Sequence, residues 1–324
     1  MYSKDELNKL ITSGIANISC NDEAARLYEP VRYMLSIGGK RLRPLLTMMA
    51  CNIFSDKPEE ALMPAIGLEV FHNFTLVHDD IMDCATVRRN SPTVHKKWNI
   101  NQAILSGDVM AFIANDYISA TPQPYFLKVF KLYNTTATEV CVGQQMDMDF
   151  EKIPFVSREE YLRMIELKTA VLLAACLKAG SLIGGASDRD ADLMYEFGRN
   201  LGLAFQIQDD ILDVYGDPAI FGKKIGGDIL INKKTFLLVK ALELATGNRE
   251  RQLKDLITAT EYDGDEKVEA VTSIYNQLGI KEIAENLAGE FIKSAFAYFG
   301  NVSAKEERKE PLLQLALSMT GRDR

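Results

Sequence analysis

The sequence is poor in cysteine and histidine and has no excess of positive charge, and each shortage excludes a class of protein. Five Cys in 324 residues, with no C-x-x-C pair, exclude a disulfide-stapled scaffold and predict buried thiols in a reducing cytosol. Three His, none paired at zinc spacing, argue against a zinc site. The 37 basic residues are outnumbered by 45 acidic ones, a net charge of −8, so we expect no nucleic-acid partner.

Long apolar segments are also missing. The longest apolar run spans residues 170–177, which is far shorter than the roughly 20 residues that cross a bilayer. Residues 1–7 lack the apolar stretch that is typical of a secretory signal. We therefore predict a cytoplasmic protein with no membrane span.

Helical periodicity runs through nearly the whole chain. One apolar face is predicted by residues spaced i, i+4, i+7 and i+11, at Val70, Phe74, Val77 and Ile81. No long run alternates apolar and polar residues as a half-buried strand does. The clearest breaks, at 84–94, 216–232 and 261–266, are short, and no linker divides the chain. We predict a single all-helical domain over residues 1–324, with the first two loops as candidates for function.

Several helix ends are marked in the sequence. Ser157 and Glu160 form the S-x-x-E pattern of a capping box at the start of a long apolar stretch. Ser187 precedes a second stretch that continues to about Tyr215. Gly38-Gly39 is typical of the point where a helix stops.

Two copies of a D-D-x-x-D pattern are the most distinctive feature of the sequence. They read His-Asp-Asp-Ile-Met-Asp at 78–83 and Gln-Asp-Asp-Ile-Leu-Asp at 208–213. Within each copy the first and last aspartates stand four residues apart, so on a helix their like charges repel and weaken it. Mg2+ prefers carboxylate oxygens and keeps positions open for phosphate. Two facing copies therefore predict an acidic mouth for a metal-bridged diphosphate, against the alternative of solvated acidic helix ends.

Basic residues cluster in and near the loops around both aspartate patterns. They are Lys40, Arg41 and Arg43, then Arg88, Arg89 and His95, then Lys168, and finally Lys223, Lys224, Lys233 and Lys234. Guanidinium groups bind phosphate through two parallel hydrogen bonds, and Lys supplies a point charge. Each cluster alone is explained by a solvated loop, whereas all of them together predict two phosphate sites, one bound through metal and one bound directly.

Several short segments share their order and spacing with one enzyme family. They are Gly-Gly-Lys-Arg-Leu-Arg-Pro at 38–44, Leu-Val-His-Asp-Asp-Ile-Met-Asp at 76–83, Arg-Arg-Asn-Ser-Pro-Thr-Val-His at 88–95, Gly-Asp at 107–108, Gly-Gln-Gln-Met-Asp at 143–147, Lys-Thr at 168–169, Phe-Gln-Ile-Gln-Asp-Asp at 205–210 and Lys-Ile-Gly-Gly-Asp at 224–228. Together they resemble the trans-prenyltransferases, the polyprenyl diphosphate synthase family.

This resemblance implies an all-α fold of antiparallel helices packed around a deep central cavity, usually as a homodimer. It also implies a Mg2+-dependent transferase that condenses isopentenyl diphosphate with dimethylallyl, geranyl or farnesyl diphosphate. By the same resemblance, Asp79, Asp83 and Asp209 are Mg2+ ligands. The carboxylates that complete this metal site are then Asp80, Asp210 and Asp213. Three Mg2+ ions are expected when substrate is bound.

The resemblance assigns the remaining site residues to the two substrates. The implied contacts of isopentenyl diphosphate are Lys40, Arg43, His95 and Arg89. The implied contacts of the allylic diphosphate are Arg88, Lys168, Lys224 and Lys233. The residues implied to steady the allylic cation or to line the same cavity are Thr169, Gln206, Gln144 and Asp147. The register stays open by one residue at the Lys223/Lys224 and Lys233/Lys234 pairs.

Aromatic residues upstream of Asp79 are candidates for the floor that limits product length. Phe74 and Phe71 lie five and eight residues before it, roughly 7 and 12 Å along a helix. The helical angle favours Phe71, whereas the family resemblance favours Phe74 and a short-chain product, geranylgeranyl (C20) over farnesyl (C15). On the facing helix, Gly198 and Gly202 leave two explanations open: room for a growing chain, or close helix packing.

A class I terpene cyclase and a non-catalytic regulatory subunit of a prenyl synthase are the alternatives. A cyclase usually has an Asn/Ser/Glu-type second metal motif and needs no second diphosphate site, whereas this sequence has D-D-x-x-D at 208–213. A regulatory subunit is expected to have lost aspartates or basic residues, and none of the principal ones is missing. We therefore predict that this chain itself is the catalyst.

Overall fold

A computed structural model describes residues 1–19, 22–217, 225–259 and 263–321, and it is built almost wholly from helices. The first are α1 (Lys4–Ala16), α2 (Ala25–Ser36), α3 (Leu42–Phe54), α4 (Leu62–Met82), α5 (Val94–Lys97), α6 (Ile100–Ser119) and α7 (Gln123–Phe150). The others are α8 (Arg158–Ile165), α9 (Val171–Ile183), α10 (Asp188–Tyr215), α11 (Gly227–Leu230), α12 (Phe236–Leu244), α13 (Asn248–Thr258), α14 (Gly264–Gln277), α15 (Ile280–Gly300) and α16 (Glu306–Thr320). The predicted all-α fold class is confirmed.

The sheet content of the described residues is one short hairpin. β1 (Val87–Arg88) and β2 (Ser91–Pro92) pair antiparallel, with Val87 opposite Pro92 and Arg88 opposite Ser91. The hairpin lies within the loop predicted at 84–94, so that loop is more regular than the sequence indicates. Among the residues that the structure describes, no helix has both the length and the apolar character needed to cross a membrane.

The helix ends lie where the sequence marks them. The Ser157 hydroxyl accepts a hydrogen bond from the N–H of Glu160 at 3.2 Å, and the Glu160 carboxylate accepts one from the N–H of Ser157 at 2.8 Å. This is the predicted capping box, and α8 begins at the next residue. The long helix α10 starts directly after Ser187. The predicted stop at Gly38-Gly39 is also confirmed, because α2 ends at Ser36.

The first of two compact units comprises Met1–Asn134, Ala175–Tyr195 and Val302–Gln314. Its α4 packs along α6 and α3, and every residue from Pro64 to Phe71 is buried. A helix that is buried all round has no solvent to satisfy its polar side chains. Each polar residue on this part of α4 therefore needs a partner within the protein.

The second compact unit comprises Thr135–Ala174, Glu196–Asn301 and Leu315–Arg324. Within it, α12 packs against α8, α14 and α15. The large aromatic residues of its core include Tyr161, Phe236 and Tyr275. The single domain predicted over residues 1–324 stays a prediction.

The cysteines divide into two kinds. Cys51 and Cys176 are buried as predicted, and burial raises the pKa of each thiol to about 12. The same prediction is wrong for Cys84 and Cys141, which are exposed. Spacing in the sequence shows that a Cys is isolated, but packing decides which side of a helix or turn faces solvent. Cys20 lies outside the described residues.

Candidate active site

The loop between α2 and α3 carries the first basic cluster in a left-handed backbone. Gly38 and Gly39 have φ of 84° and 127°, and Arg41, the residue before α3, has φ of 46°. Non-glycine residues adopt such φ values rarely and only where contacts hold them. Here the Arg41 guanidinium pairs with the Glu69 carboxylate at 2.8 Å and also donates to the Leu35 carbonyl. These contacts fix the loop against α4.

The hairpin after α4 carries the second basic cluster. Arg89 and Asn90 form its two-residue turn, with φ of 51° and 59°. Positive φ at both central positions defines the type I′ turn that suits a tight hairpin. The Arg89 guanidinium donates to the Gly38 carbonyl and lies 3.5 Å from the Asn73 amide oxygen. The hairpin is thus tied to the loop between α2 and α3.

The first aspartate motif ends α4, and its members differ in burial. Asp80 is buried and receives the Arg88 Nε–H at 2.8 and 2.9 Å, on its two carboxylate oxygens. Burial raises the pKa of Asp80, and the hydrogen bond from Arg88 opposes that shift. Asp79 is half-buried, 3.6 Å from the same guanidinium, and Asp83 is exposed. Asp79 and Asp83 are therefore the members with carboxylate surface open to a ligand.

Three buried polar residues lie along one face of α4. Glu69, Asn73 and Asp80 follow at spacings of four and seven residues, which places them within about 40° of one another. The Asn73 amide donates to the Glu69 carboxylate at 3.0 Å. Each of the three also contacts one arginine, as described above. We call this set the α4 polar stripe, and the sequence analysis did not single out its first two members.

Two predicted site residues carry buried polar atoms without a partner. Arg43 Nε and His95 Nδ1 make no hydrogen bond within the described chain. Burial lowers the pKa of Arg43, which means that the charged guanidinium is poorly solvated. Burial also lowers the pKa of His95. Buried polar atoms without a partner are rare in proteins, so Arg43 Nε and His95 Nδ1 are candidates to contact a bound ligand.

His72 is a residue that the sequence analysis missed. It is half-buried on α4 among the arginines of both basic clusters. Removal from water and then the nearby positive charges, that of Arg43 above all, hold the pKa of His72 well below its usual range. A neutral imidazole here can donate a hydrogen bond without adding charge. The signal was present, since His72 precedes Asp79 by seven residues and thus shares its helix face.

His78 contacts residues of α6. Its Nε2 is 3.1 Å from the Ile104 carbonyl oxygen and 3.8 Å from the Asp108 carboxylate. Its ring packs against Phe74 and over the backbone of Gly107, where a Cβ atom would overlap the imidazole. These contacts explain why Gly-Asp follows at 107–108.

The candidate floor residues pack on each other. Phe71 is buried, with its ring 5.6 Å from that of Phe74 and 5.4 Å from that of Tyr133. Phe74 is half-buried, and its other neighbour is His78. The two phenylalanines thus form one aromatic cluster upstream of Asp79, and Tyr133 of α7 supports its buried side.

In the second unit, Lys168 and Thr169 lie on a π-helical turn, Glu166–Ala170, between α8 and α9. Such turns are rare and are found frequently at functional sites. Two glycines of neighbouring helices make room for it. A Cβ at Gly143 would overlap the backbone of Lys168, and one at Gly202 would lie 2.6 Å from the Ala170 Cα. For Gly202, close helix packing is therefore the explanation.

The π-helical turn presents two side chains that are held by predicted site residues. Lys168 Nζ lies 2.6 Å from the Asp147 carboxylate. The Thr169 hydroxyl donates to Gln206 Oε1 at 3.1 Å, and Gln206 Nε2 donates to Asp210 Oδ1 at 3.2 Å. The structure thus brings together residues from α7, the π-helical turn and α10 that the sequence placed at one site.

The second aspartate motif repeats the division seen in the first. Asp210 is buried, and burial raises its pKa to about 7. Asp209 and Asp213 are half-buried, and Asp213 accepts a hydrogen bond from the N–H of Asp228 at 3.0 Å. In both motifs the second aspartate is enclosed by protein, and the first is only half-buried.

The remaining predicted contacts are placed as follows. Lys40 is exposed, and Gln144 is half-buried on α7. Lys233 Nζ lies 3.8 Å from the Asp228 carboxylate, whereas Lys234 is buried and its pKa is lowered by that burial. Lys223 and Lys224 lie outside the described residues, so the predicted contact of Lys224 stays a prediction.

The donor chemistry of the aspartate motifs fits Mg2+. Across the parts of the chain that the structure describes, no three His, Cys, Asp or Glu side chains are close enough to hold a metal ion by themselves. Mg2+ is commonly bound by only one or two carboxylates, with water and substrate phosphate supplying the other oxygens. Asp79, half-buried beside the Arg88 guanidinium, is suited to that mode of binding.

Known proteins with similar sequences and structures identify the family. A sequence profile described as Polyprenyl synthetase matches residues 24–278. The chain belongs to the polyprenyl synthetase family. It is similar to a geranylgeranyl diphosphate synthase of Sulfolobus acidocaldarius, with 36% identity over 331 residues that cover 100% of this chain and 99% of the relative. It is also similar to a geranylfarnesyl diphosphate synthase of Natronomonas pharaonis, with 33% identity, 89% of this chain and 88% of that one.

A solved structure shows the same relationship in three dimensions. A crystal structure of a geranylgeranyl pyrophosphate synthase matches with a TM-score of 0.94 and 41% identity, covering 99% of each chain. The predicted resemblance to trans-prenyltransferases is thus confirmed. This polyprenyl synthetase is a prenyltransferase of the short-chain type, as the sequence indicated.

Proposed function

We propose that this polyprenyl synthetase condenses isopentenyl diphosphate with dimethylallyl, geranyl or farnesyl diphosphate, and that its main product is all-trans geranylgeranyl diphosphate. The buried Arg43 Nε without a hydrogen-bond partner is the observation that carries the proposal. A guanidinium with a buried N–H that lacks a partner is stabilised by an anion that accepts that N–H. Diphosphate is such an anion, and the relatives named for geranylgeranyl synthesis support the C20 product.

Isopentenyl diphosphate is assigned to the basic side of the first unit. Its proposed contacts are Lys40, Arg43, His95 and Arg89, with His72 added from the structure. The loop after α2 and the hairpin after α4 hold their arginines in fixed positions through the α4 polar stripe. Because this order exists before substrate binds, little side-chain freedom is lost on binding.

Mg2+ is proposed to be held by Asp79, Asp83, Asp209 and Asp213, with three ions when substrate is bound. When bound, the metal neutralises the diphosphate leaving group. Asp80 and Asp210 are proposed to support the metal site without binding the metal directly, because protein donors already occupy both carboxylates. The proposed contacts of the allylic diphosphate are Arg88, Lys168, Lys224 and Lys233.

The reaction begins when the allylic carbon–oxygen bond breaks and leaves a diphosphate anion and a delocalised carbocation. Arg88 and Lys168 are proposed to stabilise the negative charge as it develops. The Thr169 and Gln206 oxygens are proposed to supply dipoles for the positive charge, with Gln144 lining the same cavity, which has to exclude water while the cation exists. The isopentenyl double bond then adds to the cation, and the released diphosphate accepts the departing proton.

A product assay tests this function. Purified protein is incubated with Mg2+, isopentenyl diphosphate and each of the three allylic primers in turn. We expect prenyl diphosphates with geranylgeranyl diphosphate as the main product. A cyclic hydrocarbon would instead support the terpene cyclase alternative, and no prenyl diphosphate from folded protein would support a regulatory subunit.

The aromatic cluster upstream of Asp79 is proposed to limit product length. Phe71→Ala and Phe74→Ala each remove ring volume from the floor. We expect at least one of the two variants, the one whose ring touches the growing chain, to make products longer than C20. Chromatography of the dephosphorylated products measures this shift. Phe126→Ala, which removes a ring from α7 outside this cluster, is the matched control. Identical product distributions in both floor variants would exclude these two residues from the floor.

The functional unit is proposed to be a homodimer in the cytoplasm. An exposed apolar surface on α6 supports a second copy as its partner, since Ile104, Leu105 and Phe112 are 42%, 54% and 69% exposed. Light scattering is expected to give twice the 36.2 kDa chain mass, and Phe112→Glu to reduce it to the mass of a monomer. A wild-type monomer would contradict the dimer. Fractionation of cells that express the chain tests the cytoplasmic location.

A further inference from the structure

Tyr161 is a fully buried residue that nothing in the proposed mechanism uses. It is the fourth residue of α8, whose start is fixed by the Ser157 capping box. Its hydroxyl donates to Asp210 Oδ2 at 2.5 Å, and its ring packs on Phe236. A buried tyrosine hydroxyl needs a partner, and here the partner is the enclosed carboxylate of the second aspartate motif.

The two oxygens of the Asp210 carboxylate accept hydrogen bonds from different donors. Oδ2 accepts a hydrogen bond from the Tyr161 hydroxyl and another, at 2.9 Å, from the N–H of Phe236. Phe236 is the first residue of α12. Oδ1 is thereby left for the Gln206 amide, whose Nε2 donates to it at 3.2 Å. Two helices from separate parts of the chain thus hold one carboxylate in front of one amide.

This arrangement decides which end of the Gln206 amide faces which neighbour. Because Gln206 Nε2 donates to Asp210 Oδ1, the NH2 group faces the carboxylate. The carbonyl oxygen is then directed to Thr169, whose hydroxyl donates to it at 3.1 Å. Reversal of the amide would place two acceptors together at Asp210 and would turn the NH2 group toward Thr169. The orientation of the dipole proposed to stabilise the cation therefore depends on Asp210.

We infer that Tyr161 is a positioning residue that fixes the Gln206 amide through Asp210, so that the amide oxygen is directed to the allylic cation. This inference rests on the proposed function, because the reaction supplies the cation. Tyr161 itself does not touch substrate. Its hydroxyl restrains the carboxylate, the carboxylate restrains the amide, and the amide dipole stabilises charge that exists only during the reaction.

The test is Tyr161→Phe, which removes the hydroxyl and keeps the ring in the core. We expect kcat to fall about tenfold, with the KM of both substrates unchanged within about twofold, because the lost orientation affects the charged transition state and not substrate binding. Tyr215→Phe is the matched control, since it also removes a tyrosine hydroxyl hydrogen bond, the one to Asn276. The control is expected to retain wild-type kcat.

A double-mutant cycle separates positioning from a general loss of structure. In a Gln206→Leu background the amide is gone, so Tyr161→Phe is expected to change kcat less than about twofold. A full tenfold effect in that background, or wild-type kcat in the single variant, would overturn the inference. If the background shows no measurable turnover, the single variant decides, and a rise in either KM with unchanged kcat overturns it. Absence of product from the wild-type protein would contradict the proposed function instead.

Discussion

Replacing Asp79 or Asp209 with Ala is expected to lower turnover by at least about a thousandfold while the chain stays folded. Both are half-buried, whereas the neighbouring Asp80 and Asp210 are enclosed by protein donors. Removal of either carboxylate deletes a proposed Mg2+ ligand. It also relieves repulsion from the carboxylate four residues on, so no loss of helix stability is expected.

Steady-state turnover with saturating substrates measures this effect, and circular dichroism with thermal melting checks the fold. Asp192→Ala is the control. The Asp192 side chain is 67% exposed, and the contact described for it is an ion pair with Lys178. Adding Mg2+ above the wild-type requirement is expected to restore part of the activity if metal affinity is what the variants lose. Unchanged turnover in either variant, with correct folding, would contradict its metal role.

Replacing Arg43 with Met is expected to raise the KM for isopentenyl diphosphate by about 100-fold or more, with a much smaller change in the KM for the allylic substrate. Arg43 is half-buried, removal from water lowers its pKa, and its buried Nε has no hydrogen-bond partner among the described residues. Loss of two charge-assisted hydrogen bonds to a diphosphate accounts for an effect of this size.

The folded state of the Arg43→Met variant should be at least as stable as that of the wild type. Met fills much of the same space and removes a charge that is poorly solvated in the free protein. Kinetics with each substrate varied in turn measure the effect, and Arg249→Met, on the exposed surface of α13, is the control. Equal increases in both KM values would remove Arg43 from a site specific to isopentenyl diphosphate.

Local signals in the sequence predicted much of the fold and the motifs of the site. The capping box at Ser157 and Glu160 depends on residues three apart, and it formed as predicted. The aspartate motifs likewise depend on spacing within one helix, so their placement at the ends of long helices followed from the sequence. The burial of Asp80 and Asp210 did not follow, because the residues that enclose them come from other elements.

The missed residues show the same limit. Glu69 and Asn73 sit in an apolar helix, and their partners Arg41 and Arg89 are supplied by two separate loops. The π-helical turn at Lys168 requires glycines from two other helices, which the sequence shows only as isolated letters. His72 was detectable by its helix angle to Asp79, but its surroundings were not.

By itself the sequence determined the helical class, the helix ends and the two acidic and several basic motifs, because these depend on short-range spacing and on the intrinsic chemistry of side chains. Tertiary structure alone decided which carboxylates are open, which arginines are held and which way the Gln206 amide points. These properties depend on burial and on hydrogen bonds between residues far apart in the chain, and packing fixes both.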